Sequence, residues 1–418
     1  MDKPAATPEP DIYDRIGRAW VRFWFTPADP TVLGLIRICC GLVTLYTTFV
    51  YTFTLDEFMG KHAWYDLKAR QEIMTERPIV AAPLRWDEYK ELPPIAEPDK
   101  TYQDYVKKYQ TDPRLAYSKG TPVWSLWFHV TDPAWMMFLH GCILLVTLLF
   151  TLGLATRLTA PLTWFGTLCY IHRNTMVLFG VDTMMTVLLT YLMIGPSGAA
   201  LSLDRLIARW WHGAKPGIVS RWRTWWGRPC APADVAPAAY TPAPAPSISA
   251  NVAYRLLQIN VCFVYIVSGL TKLQGNAWWT GTATWGVLAN FEFAPMHLDI
   301  YNHVLRRIGS NQLLFYFSLT LSCLFTLGFE IGYAFLIWLR STRWVFLWGA
   351  ITLHGLIGLF MGLKTFSLMM LVMNMAFLTS DEVRRFLAWI NRALGRKGSH
   401  EPGPHSRGLA KNEAILKA

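Results

Sequence analysis

Charged residues are scarce in this sequence: 16% of its 418 residues are Asp, Glu, Lys or Arg, whereas 53% are hydrophobic. Soluble globular domains carry about 25% charged residues. The deficit is local, because the apolar residues come in long blocks and the charges lie between those blocks. The composition therefore argues against a set of soluble domains and favours one helical membrane domain with a few loops.

The sequence also lacks the short motifs of soluble catalysis and metal binding. It contains no Walker A loop, no HExxH, no CxxC or CxxCH, and no GxSxG in a strand–helix context, so we expect no metal cofactor. The seven cysteines show no disulfide or metal-ligand spacing, and we interpret them as small core residues. An apolar stretch typical of a cleavable signal peptide is missing before residue 30.

Basic residues outnumber acidic ones and give a net charge of +11. They lie in short segments between the apolar blocks, which is typical of membrane topology and argues against a nucleic-acid partner. The partner that this pattern predicts is the lipid bilayer, while the pattern names no protein partner.

Long apolar segments dominate what is present. A helix of about 20 mostly apolar residues can cross a bilayer. Eight segments are candidates: about 31–54, 135–154, 158–177, 179–196, 253–273, 311–339, 343–361 and 364–380. We therefore predict an all-α fold, a polytopic membrane helix bundle of about eight transmembrane helices with a long outer loop at 55–134.

Basic connections give this bundle a direction. With eight crossings, Arg157, Arg340, Arg343, the 197–252 loop and the tail after 380 all lie on the same side as the N-terminus. The positive-inside rule then predicts that both termini are cytoplasmic. We expect the protein in a bacterial inner membrane.

Three regions surround the membrane domain at 31–380. Residues 1–30 form a cytoplasmic N-terminus with an interfacial amphipathic helix at 11–26, and 205–212 resembles a second such helix. The cytoplasmic loop at 197–252 contains a Pro/Ala-rich linker at 229–247. The outer loop suggests short helices at 65–78 and 101–110, and the tail at 381–418 is basic and largely disordered, above all over 395–418.

Ionisable residues inside the apolar blocks are candidates for function, because a charge in a membrane is costly. Lys272 ends the fifth crossing, where it either snorkels to the outer interface beside Trp278 and Trp279 or is a partly desolvated lysine whose neutral amine can act as a base. His354 in the seventh crossing and Glu330 in the sixth are either satisfied groups of the helix bundle or parts of a site.

Other polar residues cluster towards the outer side. Arg173 and Asp182 flank the junction of the third and fourth crossings, and His140 lies in the outer part of the second. Tyr265 lies seven residues before Lys272, on the same helical face. An outward-opening cavity that gathers Lys272, Asp182, Arg173, His140 and His354 is our expectation. Arg37 and Arg255 lie near the inner ends of their crossings.

Three strings together resemble one family. They are TLGLATRLTAPLTWFGTLCYIHRNTMVLFGVDTMM, LLQINVCFVYIVSGLTKLQGNAWWTG and LHGLIGLFMGLKTFSLMMLVMNMAFL. Over about 20–380 the chain resembles the HTTM domain, the membrane domain shared by vitamin K-dependent γ-carboxylase and many bacterial proteins. The Y-x-x-x-G-x-x-K-L pattern and the H-x(n)-G-x-F pattern carry this resemblance.

The resemblance implies a mechanism. In the carboxylase, a membrane lysine deprotonates a reduced naphthoquinone, oxygen adds, and the strong base so formed removes a glutamate γ-proton before carbon dioxide adds. The family's lysine falls on Lys272 and one of its histidines on His354, while another of its histidines falls on Asp182. The carboxylase also continues into a large lumenal region, so we expect a quinone-linked oxidation with the same lysine more than carboxylation of peptide glutamate.

Three functions therefore remain open. The first is a carboxylase- or epoxidase-like membrane lyase that uses a vitamin K-like quinol, with Lys272 as base, His354 positioning the substrate or an oxyanion, and Asp182, Arg173, Tyr265, His140 and Glu330 binding substrate. The second is a transporter or lipid-handling protein. The third is a non-catalytic membrane scaffold subunit. A DoxX-like redox protein is a near neighbour of the first.

Overall fold

The computed structural model describes residues 11–70, 123–212, 244–290 and 299–393. Within these ranges 79% of the residues are helical and none lies in a strand. Fifteen helices are numbered here in chain order over the described ranges. They are α1 Ile12–Phe25, α2 Thr31–Val50, α3 Leu55–Met59, α4 Pro133–Leu152, α5 Thr156–Arg173, α6 Gly180–Ile194, α7 Leu203–His212, α8 Ile248–Leu273, α9 Asn276–Trp279, α10 Ala283–Leu288, α11 Asp299–Ser310, α12 Gln312–Leu336, α13 Arg343–Phe360, α14 Lys364–Asn374 and α15 Ser380–Ala393.

Five of these helices are long and apolar enough to cross a membrane, namely α2, α4, α8, α12 and α13. A sixth candidate is the segment Lys364–Phe377 together with Ser380–Ile390, which bends by 117° at the break. The all-α prediction is thus confirmed, and the described helices include five to six candidate membrane spans. The other segments that we predicted to cross, 158–177, 179–196 and 364–380, correspond to α5, α6 and α14.

Helix packing forms a closed ring. Around it, α2 packs on α4, α4 on α5, α5 on α6, α6 on α8, α8 on α12, α12 on α13, α13 on α14, and α14 returns to α2. Helix α14 also contacts α6 and α8, so it lies towards the middle of the ring. The outward surface is strongly apolar, with side chains such as Leu313 (81% exposed), Val345 (67%) and Phe317 (66%), as expected of a surface that faces lipid.

Three peripheral helices of the described ranges lie at the end of the bundle where α2 begins. The segments predicted as amphipathic helices at 11–26 and 205–212 are α1 and α7. Helix α15 forms the first part of the predicted tail, where Arg384 is ion-paired with Asp29 at the start of α2. The tail thus begins as a helix, and 395–418 lies outside the described residues. So do most of the linker at 229–247, most of the predicted helix at 65–78 and all of the one at 101–110.

The cysteines of the described ranges are free thiols. Four of them are buried, which agrees with their interpretation as core residues. Cys142 on α4 is exposed, so the interpretation is wrong for that residue, because the outer face of α4 is itself apolar and accommodates a small apolar side chain. Cys230 lies outside the described ranges.

Candidate functional site

Lys272 and Glu330 form an ion pair between α8 and α12. The Lys272 Nζ donates to both Glu330 carboxylate oxygens, at 2.9 Å to Oε1 and 2.8 Å to Oε2. It also donates to the Ser268 Oγ, one helical turn earlier, at 2.5 Å. The Lys272 side chain is 25% exposed and that of Glu330 is 7% exposed. Both charges are therefore matched at a place where an unpaired charge would be costly.

A glycine brings the two helices together. A Cβ atom at position 269 would lie 2.8 Å from the Ile331 Cγ1 and 3.2 Å from the Glu330 Cβ. Because Gly269 has no side chain, α8 can lie directly against α12 at this level. The same glycine therefore sets the distance over which Lys272 reaches Glu330.

The ion pair lies well inside the apolar length of α12. At about 1.5 Å per residue, Glu330 is roughly 27 Å along the helix from Gln312 and roughly 9 Å before Leu336. Lys272 bends back towards the N-terminal side of its own helix, onto Ser268. This geometry differs from outward snorkelling, in which the ammonium would point beyond the end of α8. The Trp278 ring centroid lies 5.6 Å from Nζ, within cation–π distance.

A second set of polar side chains links α8, α12, α13 and α14. The Tyr265 hydroxyl lies 2.8 Å from the His354 Nε2, and the Asn374 Nδ2 donates to the same hydroxyl at 3.0 Å. The Tyr333 hydroxyl donates to the Asn374 Oδ1 at 2.5 Å. All four residues are buried. We call them the Tyr265 network.

The Tyr265 network favours one tautomer of His354. Because the Tyr265 hydroxyl accepts from Asn374, its own proton is free to go to the His354 Nε2, which then acts as the acceptor. A neutral imidazole of this form carries its N–H at Nδ1. That nitrogen is buried without a hydrogen-bond partner among the described residues. His354 thus offers a donor to any oxygen that enters its surroundings.

The ion pair and the Tyr265 network are neighbours. Tyr265, Ser268 and Lys272 share one face of α8, since they are three and four residues apart. The Tyr265 ring also packs against Tyr333, three residues after Glu330 on α12, with ring centroids 4.2 Å apart. The structure thereby brings together four of the predicted site residues: Lys272, Glu330, Tyr265 and His354.

Arg173 has a different environment. Its Nε, Nη1 and Nη2 donate to the carbonyl oxygens of Met59, Tyr65 and Gly60, at 3.0, 2.9 and 2.5 Å. The guanidinium is fully buried and is used to hold the segment that follows α3. Arg173 therefore has a structural role. Within the described ranges, no hydrogen bond or ion pair links it to Lys272, as the expected common cavity would require.

His140 and Asp182 are likewise engaged elsewhere. The His140 ring is bonded to the Tyr170 hydroxyl at 2.6 Å and to the Thr52 hydroxyl at 2.9 Å. Asp182 accepts from the backbone N–H of Phe179 at 3.0 Å and so closes the first turn of α6. The inner arginines serve packing as well: Arg37 donates to backbone carbonyls of the loop after α6, and Arg255 lies over the Phe23 ring at 4.3 Å.

Sequence reasoning missed Asn374 and Tyr333. Asn374 is a strongly polar residue inside the apolar string LVMNMAF, which is the signal that identified His354 and Glu330. Tyr333 lies three residues after Glu330 on the same helix face. Ser268, whose hydroxyl bonds to Lys272, was not among the predicted site residues either.

The described part of the chain contains no group of three or more His, Cys, Asp or Glu side chains that could hold a metal ion. Comparisons with family models, with curated proteins and with solved structures find no match to this chain.

Proposed function

We propose that this chain is an HTTM-type membrane enzyme in which Lys272 acts as a general base on a weakly acidic, lipid-soluble substrate. The observation that supports this most is the position of the Lys272 ammonium. It is turned into the helix bundle, paired with Glu330, and still 25% exposed along its side chain. A lysine held in this way is positioned for proton transfer, whereas a purely structural ion pair gains nothing from an exposed lysine.

Glu330 and Ser268 are the groups that prepare the base. Both carboxylate oxygens of Glu330 lie within 2.9 Å of Nζ, so one ammonium proton can pass to Glu330 and leave a neutral amine. The amine then accepts the hydroxyl proton of the substrate. Ser268 fixes the direction of Nζ throughout, because its hydroxyl bonds to both Lys272 and Glu330.

A reduced naphthoquinone fits the residues present. Its flat ring suits the Trp278 indole beside Nζ, and one ring oxygen could accept from the unpartnered His354 Nδ1. When bound, the quinol supplies the reducing equivalents for reaction with oxygen, as the family resemblance implies. The protein's own contribution is proton removal at Lys272 and donation to an oxyanion at His354.

The eight-crossing topology belongs to the same proposal. Helices α5, α6 and α14 are short or less apolar, yet all three are members of the ring of packed helices. A crossing helix that is covered by neighbours needs less apolar surface than one that faces lipid. With eight crossings, the outer loop is external and both termini are on the cytoplasmic side of a bacterial inner membrane, as the basic connections predict.

Turnover of a quinol tests the proposal. The purified protein in lipid is given reduced naphthoquinone and oxygen, and the epoxide is measured by mass spectrometry. Wild type is expected to form epoxide and Lys272→Ala to lose at least 100-fold of the rate, on the order of what a general base contributes. Lys364→Ala, at the exposed start of α14, is the matched control and should retain activity. Equal rates in wild type and Lys272→Ala would refute the assignment.

A transporter is the second candidate, because the Tyr265 network crosses the middle of the bundle. Chains of buried ionisable side chains between helices are typical of proton pathways in transporters, and His354 is the member of the Tyr265 network of that kind. The bend between Phe377 and Ser380 adds little, since α15 is an amphipathic helix with many charges rather than half of a broken span. Proton flux into proteoliposomes that depends on Tyr265 and is independent of quinol would favour this function.

A further inference from the structure

The amphipathic helix α1 has a groove along one side. The groove has a volume of about 650 Å³ and is lined by Tyr13, Asp14, Gly17, Arg18, Val21, Arg22, Phe25, Thr26 and Pro27. Gly17 borders open space in this groove, since a Cβ atom there would meet nothing within 4 Å. The groove therefore combines an apolar floor with two arginines and one carboxylate, that of Asp14.

Most apolar side chains of α1 are exposed, although its C-terminal end is attached to the bundle. None of its residues is buried. Six of its large apolar side chains are at least half exposed, including Tyr13 (79%), Trp20 (61%) and Phe25 (50%), whereas Phe23 and Trp24 are half-buried. Such a helix is typical of proteins that lie in the plane of a membrane surface, with its apolar arc in the acyl region.

The position of α1 is set by the bundle. The Asn251 Nδ2 donates to the carbonyl oxygens of Phe23 and Trp24, at 2.7 and 2.9 Å, and the Arg255 Nε donates to that of Phe23 at 3.2 Å. These contacts attach the C-terminal end of α1 to the first turns of α8. The helix is thus held at the end of the bundle where both α2 and α8 begin.

The basic side of α1 points to an anionic ligand. Arg15, Arg18 and Arg22 are three and four residues apart, so they lie on one face. None of the three has an ion-pair partner among the described residues. A phosphate between Arg18 and Arg22 would match their charge, while an acyl chain could follow Tyr13, Val21 and Phe25.

We propose that this groove binds an anionic phospholipid of the leaflet at which α2 and α8 begin. The phosphate is held by Arg18 and Arg22, and one acyl chain lies along the apolar floor that Gly17 leaves open. This site is separate from the Lys272 site and independent of the function proposed there.

The test is lipid binding to the purified full-length chain in detergent. Phosphatidylglycerol and phosphatidylcholine are titrated separately, and bound lipid is counted by native mass spectrometry. The expected result is at least tenfold tighter binding of phosphatidylglycerol. Arg18→Gln with Arg22→Gln should weaken it about thirtyfold, because each surface arginine contributes roughly fivefold. Arg15→Gln is the matched control, since Arg15 lies on the same face but outside the groove.

A filled groove gives a second, charge-independent test. Gly17→Leu keeps every arginine and places its side chain in open space, so the fold should be unchanged and phosphatidylglycerol binding should fall at least fivefold. Equal affinity for the two lipids in wild type would overturn the proposal. An Arg15→Gln effect as large as that of the double variant would also overturn it, because the lipid would then be attracted by the overall charge of the helix and not by the groove. Full phosphatidylglycerol binding by Gly17→Leu would overturn it as well.

Discussion

The Lys272–Glu330 pair makes a quantitative prediction about stability. At about 4 Å between charge centres and an effective dielectric constant of about 20, the attraction is roughly 4 kcal/mol. The 25% exposure of Lys272 screens part of this attraction. We expect a net coupling of about 2 kcal/mol between the two side chains.

A double-mutant cycle measures this coupling. Lys272→Met leaves Glu330 buried without its cation, and Glu330→Gln leaves Lys272 without its anion, so each should destabilise the protein by about 3 kcal/mol. The double variant should cost about 4 kcal/mol rather than the sum, because neither unpaired charge remains. The free energy of unfolding is followed by circular dichroism as SDS is added to mixed micelles.

An exposed ion pair provides the control for this cycle. Arg384 and Asp381 are three residues apart on α15, with side chains 40% and 81% exposed. Arg384 also pairs with Asp29, which is kept in all four variants, so the cycle isolates the coupling between Arg384 and Asp381. Their coupling should not exceed about 0.5 kcal/mol in the same assay. A Lys272–Glu330 coupling as small as that of the control pair would show that the inward-turned lysine gains nothing from Glu330, and the reasoning about the site would be refuted.

Three further predictions concern the packing around the site. Gly269→Ala should lower the melting temperature strongly, because its methyl group meets Ile331 and Glu330. Gly328→Ala should not, because a methyl group there meets nothing within 4 Å. Equal melting temperatures of the two variants would contradict the close approach of α8 and α12. Arg173→Gln should cost about 3 kcal/mol or more by leaving buried carbonyls unpaired, and the exposed Arg340→Gln less than about 0.5 kcal/mol. Tyr265→Phe should cost about 1–3 kcal/mol by breaking the bonds to His354 and Asn374, and an unchanged stability would contradict the network.

The lengths of the apolar blocks predicted the helices well, because about 20 consecutive apolar residues are enough to identify a membrane helix in a sequence. The segments at 31–54, 135–154 and 253–273 correspond to α2, α4 and α8. Composition alone does not identify α5, α6 and α14 as crossings, because helices surrounded by other helices can be short or contain polar residues. Their amino-acid pattern reports burial in protein as much as in lipid.

The pairing of side chains was harder to predict than the helices. A polar residue in an apolar block is visible in the sequence, which is how Lys272, Glu330 and His354 were chosen. Its partner depends on which helix faces meet, and this information is spread over distant contacts such as that of Gly269 with Ile331. Arg173 illustrates the limit: its three backbone acceptors lie more than 100 residues away in the chain.

The most direct test of Lys272 as a base is deprotonation of the quinol without oxygen. Reduced naphthoquinone is mixed anaerobically with the protein in lipid near neutral pH, and the absorbance of the quinolate anion is recorded. We expect a quinolate signal that saturates at one equivalent per chain in wild type and in Lys364→Ala, and that is absent in Lys272→Ala. A quinolate signal of equal size in Lys272→Ala, or its absence from wild type although the quinol binds, would contradict the role of Lys272.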